Sequence, residues 1–263
     1  MEAQIIYLPI GVPTFDLELA GALFRKCGMM LHKVAGDCGV DKSQLALPKE
    51  PLLSIDALEA FMDEADARRA PDTEPALVIA QNTTFANGAY MDAILDRYDA
   101  PILLWTLKDP APDGGRLKLN SLTGAYSAGN RFAMRERRGL SYVYGETSRE
   151  PVQQQVKTVI RAALCRAALR GAKLGNVGDA PQGFEFGNVA DDELLRVFGM
   201  TQERVPVEQL MEKAGFALSD DRRFDQIIRF CIMHGIYDFM DINYLLYENG
   251  EQTILVKGDK KNE

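Results

Sequence analysis

Two short apolar runs joined by an amphipathic segment constrain this chain more than any other feature. Ala76–Ala80 reads ALVIA between Pro75 and Gln81, and Ala100–Trp105 reads APILLW. Apolar runs of this length with proline or polar residues at their ends are buried strands. Pro101 sits at the start of the second, where a missing N–H is tolerated. Between them Tyr90, Ile94 and Leu95 recur at helical spacing, with Asp92, Asp96 and Arg97 interspersed. Two strands apolar on both faces and connected through a helix form a βαβ unit, so the sheet is parallel and covered on both sides. In such sheets ligands gather beyond the carboxyl ends of the strands. Here those ends are Gln81–Phe85 and Thr106–Asp109.

The remaining chain extends this pattern. Gln4–Leu8 is a first strand, followed by a turn with Pro9 and Pro13. Thr14 is the expected cap of a helix running to about Met30, and Leu31–Val34 reads as a short second strand. The Gly/Pro/Asp-rich segment Ala35–Pro51 is a loop, and Ser54–Arg69 is a helix capped by Ser54. A long polar segment, Thr106–Asn120, precedes a helix that starts at Ser121 and runs to about Arg138. Leu140–Tyr144 is a further strand. Gly145–Pro151 marks the expected domain boundary, which divides the chain into residues 1–150 and 151–263. The second part reads as helix Val152–Arg170, strand Lys173–Val177, helix Asp191–Phe198 and strand Arg204–Val207. Further helices are expected over Val207–Lys213 and Asp221–Met240. Asn249-Gly250 between two alternating apolar runs predicts a C-terminal hairpin.

Charge and motifs exclude several classes of function. The net charge is −8 over 263 residues, with a pI near 5.0 and no basic stripe, which argues against a nucleic-acid surface. The one basic cluster, Arg131–Arg138, contains Glu136 and reads as a solvated helix face, with an anion or interface role as the other reading. Met1-Glu2-Ala3 lacks a basic leader, and no apolar run approaches the ~18 residues of a membrane span. A cytoplasmic protein without membrane contact is expected. Cys27, Cys38, Cys165 and Cys231 show no CxxC spacing and read as idle thiols. There is no GxxxxGK[ST] loop, no GxGxxG after a strand and no GxSxG elbow. Neither His32 nor His234 has a neighbouring carboxylate or cysteine at metal-ligand spacing.

What remains is a set of polar and aromatic residues at strand ends. Thr14 follows the first strand. Thr83, Thr84, Phe85 and Asn87 follow the ALVIA strand. Trp105 and Lys108 end the next strand, and Asn120 stands with Ser121 at the following helix start. Neutral donors and acceptors beside an aromatic ring and one cation suit a polyhydroxylated ligand, whose hydroxyls hydrogen-bond while an apolar ring face stacks. The competing reading is that Asn120 and Ser121 only cap the helix and that Trp105 is core. No catalytic residue or metal ligand is identified from residue types.

Five stretches give a family resemblance: GVPTFDLELA (Gly11–Ala20), QNTTFANG (Gln81–Gly88), APILLW (Ala100–Trp105), GGRLKLNSLTGA (Gly114–Ala125) and GDAPQGFEFGNVADDELLRVFGM (Gly178–Met200). In order and spacing they resemble the N-terminal part of the L-fucose isomerase-like family, which includes arabinose isomerase-like proteins. The resemblance implies an α/β fold of two Rossmann-like, doubly wound parallel-sheet domains, the second incomplete here. It also implies aldose–ketose interconversion of a monosaccharide with Mn²⁺ held by two carboxylates and a histidine. In the family those ligands lie late in the second domain and in a third, and after about Ala214 this sequence no longer matches. The chain alone is therefore expected to carry no metal site and to need a partner subunit or a missing C-terminal half. The family's first domain contributes to a pocket completed by a neighbouring subunit, so the strand-end residues are expected to bind sugar in trans within an oligomer. The loop Gln81–Phe85 lacks the tryptophan associated with fucose isomerase proper, which argues against fucose as the sugar. The alternatives are a non-catalytic sugar-binding or scaffold module and an α/β domain that assembles only within an oligomer.

Overall fold

The computed structural model describes residues 4–70, 73–178, 180, 182–184, 186 and 188–209, together with the backbone of strands at 244–248 and 251–255. The chain divides into two units, Met1–Ala172 with Leu195–Met200, and Lys173–Leu194 with Thr201–Glu263.

In the first unit, β1 (Ile5–Ile10) leads through a proline-containing turn into α1 (Leu17–Gly36). A two-residue strand β2 (Leu45–Ala46) and helix α2 (Ile55–Asp66) follow. Then come β3 (Leu77–Asn82), α3 (Gly88–Arg97), β4 (Ile102–Thr106), α4 (Ser121–Met134), β5 (Leu140–Tyr144) and α5 (Glu150–Leu169). The five strands pair in the order β2-β1-β3-β4-β5, and every pairing is parallel. This is an α/β doubly wound sheet with helices on both faces.

The strand period of two sorts side chains onto the two faces. Ile6, Leu8, Ile10, Val78, Ala80, Ile102 and Leu104 pack under α2, α3 and α4. Ile5, Tyr7, Leu77, Ile79, Leu103, Trp105 and Val143 pack under α1 and α5. All residues of β1, β3 and β4 are buried, which is why they read as apolar runs without alternation up to the polar carboxyl ends of β3 and β4.

The structure revises several boundaries. Leu31–Val34, expected as a strand, belongs to α1, whose inward stripe Phe24, Cys27, Met30, Leu31 and Val34 continues without a break. The second strand is instead Leu45–Ala46, inside the segment read as loop, where two residues suffice to pair with Ile5 and Ile6. Asp16, and not Thr14, caps α1, its carboxylate accepting from the amide of Leu19 at 3.0 Å. The composition break at 145–151 precedes α5, but α5 buries Val152, Val156, Ile160 and Ala163 against the first sheet. The first unit accordingly continues through Ala172.

In the second unit, β6 (Lys173–Val177) pairs in parallel with β7 (Thr201–Val205), with α6 (Asp191–Phe198) between them in the chain. Strands β8 (Tyr244–Glu248) and β9 (Glu251–Leu255) pair antiparallel, with Glu248 opposite Glu251, as the hairpin signal implied. The helix expected over Asp221–Met240 and most of that over Val207–Lys213 lie outside the described residues.

One polar network is built into the α1 face of the first sheet. The Tyr7 hydroxyl donates to Gln81 Oε1, and Gln81 Nε2 donates to the Cys27 sulfur at 3.1 Å. Burial pushes the Cys27 thiol from its ordinary 9.0 up to about 12, the hydrogen bonds from Gln81 and Tyr7 offsetting only part of the effect. Burial likewise holds the Tyr7 phenol well above its ordinary value, with Cys27 adding to the shift. A raised folded-state value means the neutral thiol is the native form. The stability this contributes is full below the unfolded chain's value near 9 and is lost as pH rises toward 12. The urea midpoint should therefore fall above pH 9, and in Cys27→Ala the fall should be shallower by up to one bound proton, leaving the part due to Tyr7. Identical slopes in the two proteins would rule this account out.

Candidate functional site

The strand order places a topological switch between β1 and β3: the chain leaves β1 toward β2 on one side and β3 toward β4 on the other. Open α/β sheets bind ligands outside the carboxyl ends of the strands that flank such a switch. Register pairs from Ile5↔Leu77 to Ile10↔Asn82 bring the two strand ends level.

Three loops meet there. The loop after β1 is tied to the loop after β3 by Thr84, whose hydroxyl accepts from the Val12 amide at 2.9 Å and donates to the Val12 carbonyl at 3.0 Å. The Thr83 amide donates to the Ile10 carbonyl at 2.9 Å, and the Tyr90 hydroxyl to the Gly11 carbonyl at 2.7 Å. Gly11 permits this approach, since a Cβ there would lie 2.3 Å from Thr84 Oγ1. The third loop, after β4, returns over the other two. Phe85 donates its amide to the Leu119 carbonyl at 2.8 Å, and Asp16 donates to the Lys118 carbonyl at 2.9 Å. The Asp109 carboxylate gathers the amides of Leu119 at 2.7 Å and Asn120 at 3.0 Å, which fixes the entry to α4.

Aromatic packing covers the junction. The Phe15 and Phe85 rings lie 6.3 Å apart and tilted at 51°, and the Arg116 guanidinium rests 4.3 Å from the Phe15 ring centroid. One side chain from each loop thus forms a continuous Phe85–Phe15–Arg116 stack.

The sequence candidates divide by what their polar groups already do. Thr83 and Thr84 are fully buried and bond within the protein. Asn87 is exposed and caps α3, accepting from the Ala89 amide at 3.1 Å. Asn120 adopts a left-handed backbone with φ of 53°, and its side chain accepts from the Thr123 hydroxyl at 2.7 Å. Thr14 and Lys108 are exposed, and Phe85 is half-buried. Trp105 is fully buried in the core under α1 and α5, its indole donating to the Gly145 carbonyl at 3.2 Å. The core reading of this tryptophan therefore fits the structure, and no ring face is open to a ligand.

Several participants lay outside the sequence candidates. Phe15 counted as an apolar helix residue and Arg116 as part of a polar loop. Their pairing joins positions a hundred residues apart in the chain, so no local pattern announces it. Asn82 and Thr106 are likewise revealed only by pairing. They are register partners at the ends of β3 and β4, both are buried, and Asn82 Nδ2, Asn82 Oδ1 and Thr106 Oγ1 have no hydrogen-bond partner in the protein. Gly124 in the first turns of α4 makes room for Asn82, since a Cβ there would fall 2.4 Å from Nδ2. An unpaired buried polar group costs about 1–3 kcal/mol, so a water or a ligand hydroxyl bonded to this pair would be stabilising.

Among the described residues, no group of three His, Cys, Asp or Glu side chains is placed to hold a metal ion, and no helix is long and apolar enough to cross a membrane. The Mn²⁺ set implied by the family resemblance thus does not fit these residues.

Thr84→Val keeps the volume at the loop junction but leaves the Val12 amide and carbonyl without their partner. It should destabilise the chain by about 1–3 kcal/mol in urea unfolding, and Thr84→Ser should recover most of the loss. A Val variant as stable as wild type would show that the stitch contributes nothing.

No protein-family model matches the chain. Individual relatives do. The chain is 43% identical over 213 residues to a protein named sulfoquinovose isomerase from Clostridium sp. (strain MSTE9), a match covering 81% of this chain and 44% of that one. It is 31% identical over 209 residues to a sulfoquinovose isomerase from Priestia megaterium (strain ATCC 12872 / QMB1551), covering 80% and 44%. To a sulfoquinovose isomerase from Alkalicoccus urumqiensis it is 29% identical over 195 residues, covering 74% and 40%. The chain spans less than half the length of these relatives, and over most of its own length it is homologous to sugar isomerases.

Proposed function

We propose that this chain supplies the substrate-recognition rim of a sugar isomerase, one that interconverts the aldose sulfoquinovose with the corresponding 2-ketose. The observation that carries the reading is the 43% identity over 213 residues to a protein of that name. The rim described above supports it. The switch-point crevice has exposed Thr14 and Asn87 for hydroxyls, and the Phe15–Phe85 pair offers an apolar surface for a sugar ring face.

Aldose–ketose conversion moves a proton between C1 and C2 through an ene-diol and requires a positioned acid–base group. The described residues offer none at the rim: Asp109 is engaged by the amides of Leu119 and Asn120, and Asp16 caps α1. The rim therefore binds and orients, and the proton-transfer groups and the metal set come from elsewhere in the assembly, in a segment or subunit like the part of the relatives this chain does not match. On this reading the working protein is an oligomer in the cytoplasm, and Mn²⁺ is held outside the described residues. A second reading, a sugar-binding module without chemistry, is favoured by the lack of a metal-ligand group among the described residues.

Both readings are tested by combining the purified chain with the segment of the Clostridium relative that it does not match, in the presence of Mn²⁺. Proton NMR should show ketose formation from sulfoquinovose in the mixture and none with either part alone. Binding of sulfoquinovose by the chain without turnover in the mixture would favour the non-catalytic module. Neither binding nor turnover would remove the proposal.

A further inference from the structure

We infer that Arg116 is the residue that selects the sulfonate of the substrate, an assignment that rests on the reading of the chain as part of a sulfoquinovose isomerase. Sulfoquinovose is a glucose whose 6-hydroxyl is replaced by a sulfonate. A site that prefers it must recognise a permanently charged, tetrahedral anion at the end of the sugar remote from C1 and C2. The chain as a whole is acidic, with a net charge of −8, so recognition has to come from a local cation.

At the switch-point rim Arg116 is that cation. Its guanidinium lies 4.3 Å from the Phe15 ring centroid. The ring supports the cation, and a guanidinium edge matches two oxygens of a sulfonate. Phe15 in turn leans on Phe85 at 6.3 Å, so the cation is held over the junction of the loops after β1 and β3. Two other cations of the loop that carries Arg116 are placed differently. Lys118, two residues on, is paired with Asp113 at 3.7 Å, and Lys108 is an exposed point charge without an aromatic support. Among the described residues no carboxylate lies within ion-pair distance of Arg116. Several arginines elsewhere in the unit are neutralised: Arg97 by Asp63 and Asp66, and Arg131 and Arg135 by Asp92 and Asp96. Arg116 thus combines an aromatic support, a donor edge and a place at the crevice. A sugar whose ring rests against the Phe15–Phe85 surface can set its sulfonate against that edge.

The test is calorimetric titration of the full chain with sulfoquinovose, glucose and methanesulfonate. Wild type should bind sulfoquinovose about tenfold or more tightly than glucose, the range for hydrogen bonds to charged groups, and the preference should shrink as salt is raised. Arg116→Met should abolish the preference, Arg116→Lys should keep part of it, and Arg138→Met, away from the rim, should keep all of it. Equal sulfoquinovose affinity in wild type and Arg116→Met, or a preference for sulfoquinovose that Arg138→Met removes as well, would overturn the assignment while leaving the isomerase reading intact. A wild-type chain that binds no sulfoquinovose would overturn that reading and this one with it.

Discussion

The parallel pairing of β1 with β3 is the constraint on which the rest of the site depends. Both strands are buried along their whole length, so each carries one set of side chains for the face under α2, α3 and α4 and another for the face under α1 and α5. A slip of one residue would exchange the sets, moving Tyr7 and Gln81 out of their contact with Cys27 and into a face of aliphatic side chains. The register is therefore strongly fixed, and with it the level at which the two strands end. The crevice at the switch point follows from that level, because the chain turns away in opposite directions from two adjacent strand ends.

What the loops do with their polar residues follows from how close these ends are. Gly11 and Thr84 approach so nearly that a side chain at residue 11 has no room, and the Thr84 hydroxyl takes over both hydrogen bonds of Val12. The hydroxyl that looks most suited to a sugar is thus engaged in holding the rim together. On the proposed reading, ligand contact falls to the more exposed side chains around it. The frame is rigid where Thr83, Thr84, Tyr90 and Asp109 bond to backbone, and open where Thr14, Phe15, Phe85 and Arg116 face outward. Preorganisation of this kind lowers the entropy a ligand must overcome on binding.

The strands and helices of the first sheet were legible in the sequence because period and composition agree there. ALVIA and APILLW fall in β3 and β4, and α3 and α5 show clean apolar stripes. Legibility failed where tertiary context overrode a local signal. Leu31 and Val34 bracket a short segment read as a strand, yet both complete the inner stripe of α1. Leu45–Ala46 is too short to show a period at all, and it is a strand only because β1 presents an open edge. Thr14 has the chemistry of a cap, but the turn delays the helix to Leu17 and gives that role to Asp16. Of the site, the loops were visible and the division of labour within them was not. Whether a threonine at a strand end points into the protein or out of it depends on a neighbour seventy residues away, and the Phe15–Arg116 contact depends on a loop folding back across the sheet. Residue types identify which groups are available, and only the fold decides which of them are still unengaged.

On the proposed reading an acidic chain recognises an anion, an apparent conflict that distance resolves. At physiological ionic strength the field of exposed charges decays over about 8 Å, so most of the carboxylates on α2 and α3 contribute little at the switch point. Those nearest on α3, Asp92 and Asp96, are moreover matched by Arg131 and Arg135 on the neighbouring helix. The net charge then governs long-range encounter, which it slows for an anion, while affinity is set by the few groups within contact. A guanidinium held on an aromatic face is suited to that role, since the ring displaces water from one side of the cation and an anion binding at the edge meets a partly desolvated partner. The aromatic pair at the rim thus does two things at once. On the proposed reading it gives the sugar an apolar surface, and it strengthens the charge–charge contact assigned to tell a sulfonated sugar from a neutral one.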